Sequence, residues 1–351
     1  MKKRFGPGLA LFGIAVWFVG TNPAWAAGPL TVTGAGATFP YPLYSKWFYE
    51  YSNSHPGVNF NYQSIGSGGG IRQITAGTVD FGATDAPMTE EEMAKLPGPI
   101  LHIPTAIGAV AVVYNLGGVG PGLRLTPDAL AEIFLGKITK WNDPKIASHN
   151  PGAKLAGSDI VLVHRSDGSG TTDIFTNYLA TVSGEWKSKV GRGKSVRWPV
   201  GLGGKGNEGV AGVVRQTPGA IGYIELAYAT QNRMAMAALR NREGSFVLPS
   251  LESTSEAAAG AAKTMPADFR VSLVDAPGKD SYPVCGLTWL LVYRDQRDEA
   301  KGKALVSFLA WAMHDGQKMN APLLYAPIPG PVVEKVDNTL KQIQYKGKSL
   351  S

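Results

Sequence analysis

Residues 159–171 read Asp159-Ile-Val-Leu-Val-His-Arg-Ser-Asp-Gly-Ser-Gly-Thr171. The branched apolar run that opens this stretch suits a buried strand. Beyond Thr171, the residues Ile174, Phe175, Tyr178, Leu179 and Val182 recur at helical spacing and share one face. A strand, a loop of small residues and a helix start therefore follow one another. Such a loop gathers free backbone N–H groups, two hydroxyls and a guanidinium at the beginning of a helix, which is the composition of an oxyanion site.

The same order recurs upstream. A short strand over residues 30–33 runs into Gly34-Ala-Gly-Ala-Thr-Phe-Pro40, and Leu43, Tyr44, Trp47, Phe48 and Tyr51 mark the helix that follows. Val58, Phe60 and Tyr62 alternate as a strand that enters Ser64-Ile-Gly-Ser-Gly-Gly-Gly70, ahead of a helix over 71–76. Val79, Phe81 and Ala83 form a third strand ending at Thr84-Asp-Ala-Pro87, and Thr89 with Glu92 fits a capping box. Further on, 107–114, 160–163, 220–228 and 287–293 read as buried strands. Thr126-Pro127 reads as a helix start with Pro at its first position, and 303–314 as an amphipathic helix. Residues 250–265, rich in Ala, Ser and Glu, read as an exposed helix or loop. This alternation predicts an α/β fold with mostly parallel sheets. Ligands of such sheets sit at the carboxyl ends of strands, where all of these loops lie.

Composition narrows the class. Residues 1–26 combine a basic start (Lys2, Lys3, Arg4), an apolar stretch over 9–19 and an Ala24-Trp-Ala26 cleavage site, the pattern of a secretory signal peptide. The apolar stretch is short for a membrane span. No cysteine stands at the cleavage site, so a freely diffusing, monomeric periplasmic protein is expected. The remaining chain of about 325 residues exceeds one ordinary core and predicts two domains. The formal charge of +7 in 351 residues drops to +4 without Lys2, Lys3 and Arg4. That excess helps attract anions but makes no nucleic-acid footprint. One cysteine, Cys285, excludes an internal disulfide and a cysteine-rich metal site; it reads as a buried small apolar residue. The five histidines are scattered without ligand spacing, so no metal or cofactor is expected, and His164 reads as structural.

The candidate site residues follow from what an anion requires. Thr38 and Phe39 offer a hydroxyl and backbone N–H groups, with Gly34 and Gly36 permitting close approach. Ser67 sits in a glycine nest before a helix. Arg165 presents a planar fork suited to a tetrahedral oxyanion, and Asp167, two residues on, is placed to hold it. Ser169, Gly170 and Thr171 form the helix start. Asp85 is the odd member, because a carboxylate repels a dianion. It makes sense only where the ligand brings a proton. Phosphate keeps one near neutral pH and sulfate does not, so an Asp acceptor would accept the first and reject the second. Gly193-Lys-Ser195 imitates the end of a Walker A loop but has no strand before it and no glycine at the required position. Gly201-Leu-Gly-Gly-Lys-Gly206, just before Asn207 and Glu208, would line or buttress the cleft. Gly-x-Ser-x-Gly is absent, which weakens an α/β-hydrolase reading.

Four of these segments, Gly34–Pro40, Ile65–Gly70, Asp80–Pro87 and Arg165–Thr171, together resemble the phosphate-binding proteins of the bacterial high-affinity ABC phosphate transporter (the Pst system). Trp198-Pro-Val-Gly-Leu-Gly-Gly-Lys-Gly-Asn207 and Pro218-Gly-Ala-Ile-Gly-Tyr223 resemble the same family. The likeness spans nearly all of the mature chain, in order and spacing. It implies a two-lobed periplasmic binding protein fold of type II, with the ligand in the cleft between lobes. It implies a non-enzymatic receptor that closes over inorganic phosphate and delivers it to membrane permease subunits. By motif, the ligand would be bound by Thr38, Phe39, Ser67, Asp85, Arg165, Ser169, Gly170 and Thr171, with Asp167 supporting Arg165. Gly68 departs from the family pattern, which usually has a second Ser there. The resemblance also implies one lobe from 27–106 plus 286–351 and another from 107–285, with crossovers near 104–107 and 283–286. The alternatives are a receptor for another oxyanion, such as sulfate or molybdate, and a secreted phosphatase using the same pocket.

Overall fold

Residues 1–3, 28–155 and 157–351 are described in the computed structural model of the chain. The expected leader and its cleavage site lie outside them, apart from the first three residues. Strand β1 (Leu30–Gly36), helix α1 (Tyr41–Ser54), strand β2 (Val58–Ser64), helix α2 (Ser67–Ala76) and strand β3 (Phe81–Thr84) make the first half of the molecule. Strand β1 runs three residues past its expected end. Gly34-Ala35-Gly36 pair with Tyr62–Ser64 on one side and Phe81–Ala83 on the other, both parallel. Gly34 is required there, since a Cβ would run into the Phe81 ring.

The second half is built from β5 (Val161–Arg165), α3 (Gly170–Val182), β6 (Leu202–Gly204), α4 (Gly206–Gln216) and β7 (Ala220–Glu225). Two long buried strands join the halves: β4 (Ile100–Tyr114) and β8 (Cys285–Tyr293). The resulting order is β2-β1-β3-β8-β4-β7-β5-β6. Its two ends are parallel, at β2–β1–β3 and β7–β5–β6. Its centre is antiparallel, at β3–β8, β8–β4 and β4–β7. Strand β4 starts at Ile100, seven residues before the expected start, because its first part pairs with β8 from Ile100 to Ala109. Its last part, Val110 to Tyr114, pairs with β7.

Each half has an aromatic core. In the first, α1 buries Tyr44, Trp47, Phe48 and Tyr51, as its spacing predicts. Phe48 stacks on Phe60 at 5.2 Å, and Phe60 meets Phe308 of the helix Glu299–Met313 at 4.5 Å. In the second, Phe175 of α3 stacks on Tyr223 of β7 at 4.3 Å and meets Phe134 at 4.7 Å. Such pairs add about 0.5–1.5 kcal/mol each beyond the area they bury.

Two expectations are corrected. The strand expected over 220–228 stops at Glu225, whose side chain accepts from the Ala227 N–H (2.8 Å) and so starts a helix, Leu226–Gln231. Residues 250–265 form the helix Leu251–Thr264, anchored by a Ser250 cap and by buried Ala257 and Ala258 rather than lying loose on the surface. Among the described residues, no helix is long and apolar enough to cross a membrane.

Candidate functional site

The four loops proposed as anion contacts each open at the carboxyl end of a strand. Thr38 and Phe39 follow β1, Ser67 follows β2, Asp85 follows β3, and Asp167 to Thr171 follow β5. The structure brings all of them to one enclosed point between the two halves of the sheet. Thr38, Phe39, Ser67, Asp85, Arg165, Ser169 and Thr171 are all buried, none more than 3% exposed.

The two halves touch directly there. Ser67 Oγ accepts from the N–H groups of Asp85 and Gly170, each at 3.1 Å, and donates to Asp85 Oδ2 at 3.3 Å. The Gly68 N–H donates to the Gly168 carbonyl at 2.8 Å. Glycine is needed at position 170, where a Cβ would lie 2.5 Å from Asp85 Cβ and 2.6 Å from Ser67 Oγ. The family's second Ser at position 68 would place its Cβ 3.1 Å from Gly168 Cα. Gly68 therefore allows this close approach.

Arg165 is fixed as a fork. Its Nε and Nη2 donate to the two oxygens of Asp167 at 2.8 and 2.6 Å, and Nη1 reaches Thr171 Oγ1 at 3.3 Å. Burial pushes the Asp167 carboxyl up, but the Arg165 guanidinium and the Gly206 N–H hold it below the usual carboxylate range. The guanidinium is thus an oriented donor, held in a two-point grip. Helix α3 starts on Ser169, whose Oγ accepts from the Thr172 N–H at 3.0 Å. The Ser169 N–H is taken by the Lys194 carbonyl at 2.8 Å, so Ser169 offers the site its hydroxyl proton rather than its backbone.

Asp85 is held differently. Thr288 of β8 donates to its Oδ1 at 2.8 Å. Burial pushes its carboxyl up to about 7, against the pull of Thr288, Arg165 and Ser67. Asp85 is thus a buried carboxyl that burial makes hard to ionise and that its hydroxyl and guanidinium neighbours pull back toward the charged form.

Two groups in this cluster were not singled out from the sequence as ligand contacts. Thr288 fixes Asp85, and Asn207, the first-turn residue of α4, links Thr38 to Thr171. Asn207 Nδ2 lies 2.7 Å from Thr38 Oγ1 and 3.2 Å from Thr171 Oγ1. The glycine-rich run 201–206 is thereby a buttress. It forms β6, which pairs with β5, and its Gly206 N–H donates to Asp167 at 3.0 Å. In Gly193-Lys194-Ser195 the Gly193 N–H donates to Thr176 Oγ1 of α3 at 3.1 Å, and the Lys194 carbonyl takes the Ser169 N–H. His164 stacks on Trp198 at 4.8 Å with Nδ1 against the Arg165 carbonyl. Cys285 is a buried free thiol, and burial pushes it up to about 12. Among the described residues, no three His, Cys, Asp or Glu gather as metal ligands.

Two openings flank the cluster. A groove of about 590 Å³ is lined by Gly68, Arg72, Glu92, Gly168 and Lys194, and a cavity of about 250 Å³ by Asp85, Asp173, Arg192 and Arg270.

Comparison with known proteins agrees with this architecture. The PBP superfamily domain matches residues 21–315. The phosphate-binding protein PstS of Xylella fastidiosa (strain Temecula1) is 49% identical over 87% of this chain and 84% of its own. PstS of Pasteurella multocida is 48% identical over 87% of this chain and 88% of its own. The crystal structure of a phosphate-binding protein from Stenotrophomonas maltophilia has the same fold, with a TM-score of 0.66 at 20% identity, covering 88% of this chain and 93% of that one. The two α/β halves are the two lobes of this fold. The chain belongs to the PBP superfamily and, within it, to the PstS phosphate-binding proteins.

Proposed function

We propose that this chain binds inorganic phosphate between its lobes in the periplasm and delivers it to the permease subunits of an ABC transporter. One observation carries the reading: a buried carboxyl not paired to a cation, Asp85, shares an enclosed point with a guanidinium fixed by Asp167 and with several hydroxyls. Such a site matches a tetrahedral ion that presents many acceptor oxygens and one proton. The relatives named PstS support both the ligand and the transporter.

Thr38, Phe39, Arg165, Ser169 and Thr171 are the donors and Asp85 the acceptor, with Asp167 orienting Arg165; Ser67 and Gly170, which hydrogen-bond to each other and, through Ser67, to Asp85, join the donors when the ion displaces those contacts. The lobes are taken as 27–106 plus 286–351 and 107–285. That division sends the first three loops to one lobe and Arg165–Thr171 to the other, so a bound ion favours the closed arrangement. Ser169 Oγ caps α3, and the nearby imidazole of His164 is turned onto Trp198.

Calorimetric titration with phosphate, sulfate and molybdate tests the reading. Phosphate is expected to bind at least a hundredfold more tightly than either of the others. Tighter binding of sulfate would overturn both the ligand and the role of Asp85.

A further inference from the structure

The Asn207 amide has a defined orientation. Its Oδ1 accepts from the Glu225 N–H at 2.9 Å, so Nδ2 must face the opposite way. Both Nδ2 protons are then used, one on Thr38 Oγ1 and one on Thr171 Oγ1. Each of these hydroxyl oxygens also receives a second donor. The Asn207 N–H reaches Thr38 Oγ1 at 3.3 Å, and Arg165 Nη1 reaches Thr171 Oγ1 at 3.3 Å. A hydroxyl oxygen has two lone pairs and one proton. With both lone pairs occupied, only the proton remains. Among the described residues, neither hydroxyl proton has a protein acceptor.

Resting on the reading above, we infer that Asn207 is the positioning residue that makes Thr38 and Thr171 obligate donors to the bound anion. It does so without being a ligand contact itself. It also fixes where the ligand's proton goes. With two hydroxyls barred from accepting, the protonated oxygen is steered toward Asp85, the carboxyl of the cluster. Asn207 thus works from both lobes at once, joining Thr38 after β1 to Thr171 at the start of α3. The side chain is fully buried, as is the Glu225 backbone that orients it, so the amide cannot turn to expose its oxygen instead.

A double-mutant cycle on phosphate affinity tests this role. Asn207→Ala is expected to weaken phosphate binding about tenfold. In a Thr38→Val, Thr171→Val background the same change is expected to cost less than twofold, because the hydroxyls it orients are gone. Asn207→Asp preserves size but turns the donor into an acceptor that draws both hydroxyl protons away. It is expected to weaken phosphate at least a hundredfold with the thermal midpoint of the phosphate-free protein little changed, and it serves if the alanine variant does not fold. Equal losses in both backgrounds, or a loss below tenfold for Asn207→Asp, would overturn the inference. Wild-type protein that binds phosphate while these losses are additive sinks this inference alone. Wild-type protein that takes up no phosphate sinks the proposed function and this inference with it.

Discussion

At the scale of single residues, Asp85 and Arg165 divide the recognition. Arg165 is ionised and held at Asp167, with Nη1 turned toward the hydroxyl cluster. Arg165→Ala removes a charge-assisted donor and leaves the half-buried Asp167 without its cationic partner. Calorimetry should show phosphate binding at least tenfold weaker, about 1.4 kcal/mol; an unchanged affinity would remove Arg165 from the site. Asp85 is an acceptor whose carboxyl is raised by burial to about 7. In the phosphate-free protein the folded state therefore holds a proton that the unfolded chain releases at the ordinary carboxylate pKa. The stability this contributes is complete below that ordinary value and is lost as pH rises through about 7. Asp85→Asn removes the dependence, so melting curves should show the variant gaining on wild type between pH 5 and pH 8. The same variant should lose discrimination against sulfate more than affinity for phosphate, and a selectivity ratio that does not move would refute the acceptor role. The residues that touch the cluster through loops were legible in the sequence, because glycine, hydroxyl and guanidinium at a helix start have few other uses. Asn207 and Thr288 were not, since each acts on a partner 169 or 203 positions away. Nothing local marks a side chain whose work is to orient another.

Among the elements, the turn between β1 and α1 is held from outside. Tyr228, in the helix Leu226–Gln231, donates to the Thr38 carbonyl at 2.7 Å, and Tyr325 donates to the Phe39 carbonyl at 2.7 Å. The Thr38 carbonyl and the Phe39 N–H belong to one peptide plane. A donor on the oxygen fixes that plane and polarises the N–H at its other end. Tyr228→Phe removes one hydrogen bond, about 0.5–1.5 kcal/mol. Titration should show phosphate binding threefold to tenfold weaker while far-UV circular dichroism is unchanged. The strand–loop–helix units were readable from period and glycine placement. The helix carrying Tyr228 was not, because Glu225 ends β7 as a buried cap within an otherwise continuous apolar run. Burial holds that carboxyl well above the usual range, against the Ala227 N–H and the Tyr325 hydroxyl that donate to it.

Across the whole molecule, closure has an inner and an outer layer. Inside are the Ser67, Gly170 and Asn207 contacts. At the rim, Lys194 pairs with Glu92 at 2.8 Å, and Arg270 pairs with Glu90 at 2.8 Å. Partly exposed pairs of this kind are worth about 0–1 kcal/mol and weaken with salt. Lys194→Ala should therefore speed phosphate release about twofold to fivefold in stopped-flow experiments at low ionic strength, with little difference in concentrated salt. The same acceleration at every ionic strength would assign the contact a packing role instead. Two-domain organisation could be expected from length alone, but the union of both lobes in one sheet order could not, because β4 changes partner from β8 to β7 after Ala109, inside the apolar stretch Ala109–Tyr114, where no local signal marks the switch. Neither joint between the lobes is a slack tether. Both are load-carrying ribbons whose side chains are locked into cores at either end. Any widening of the cleft has to twist these two ribbons, whose ladder runs unbroken from β3 through β8 and β4 to β7.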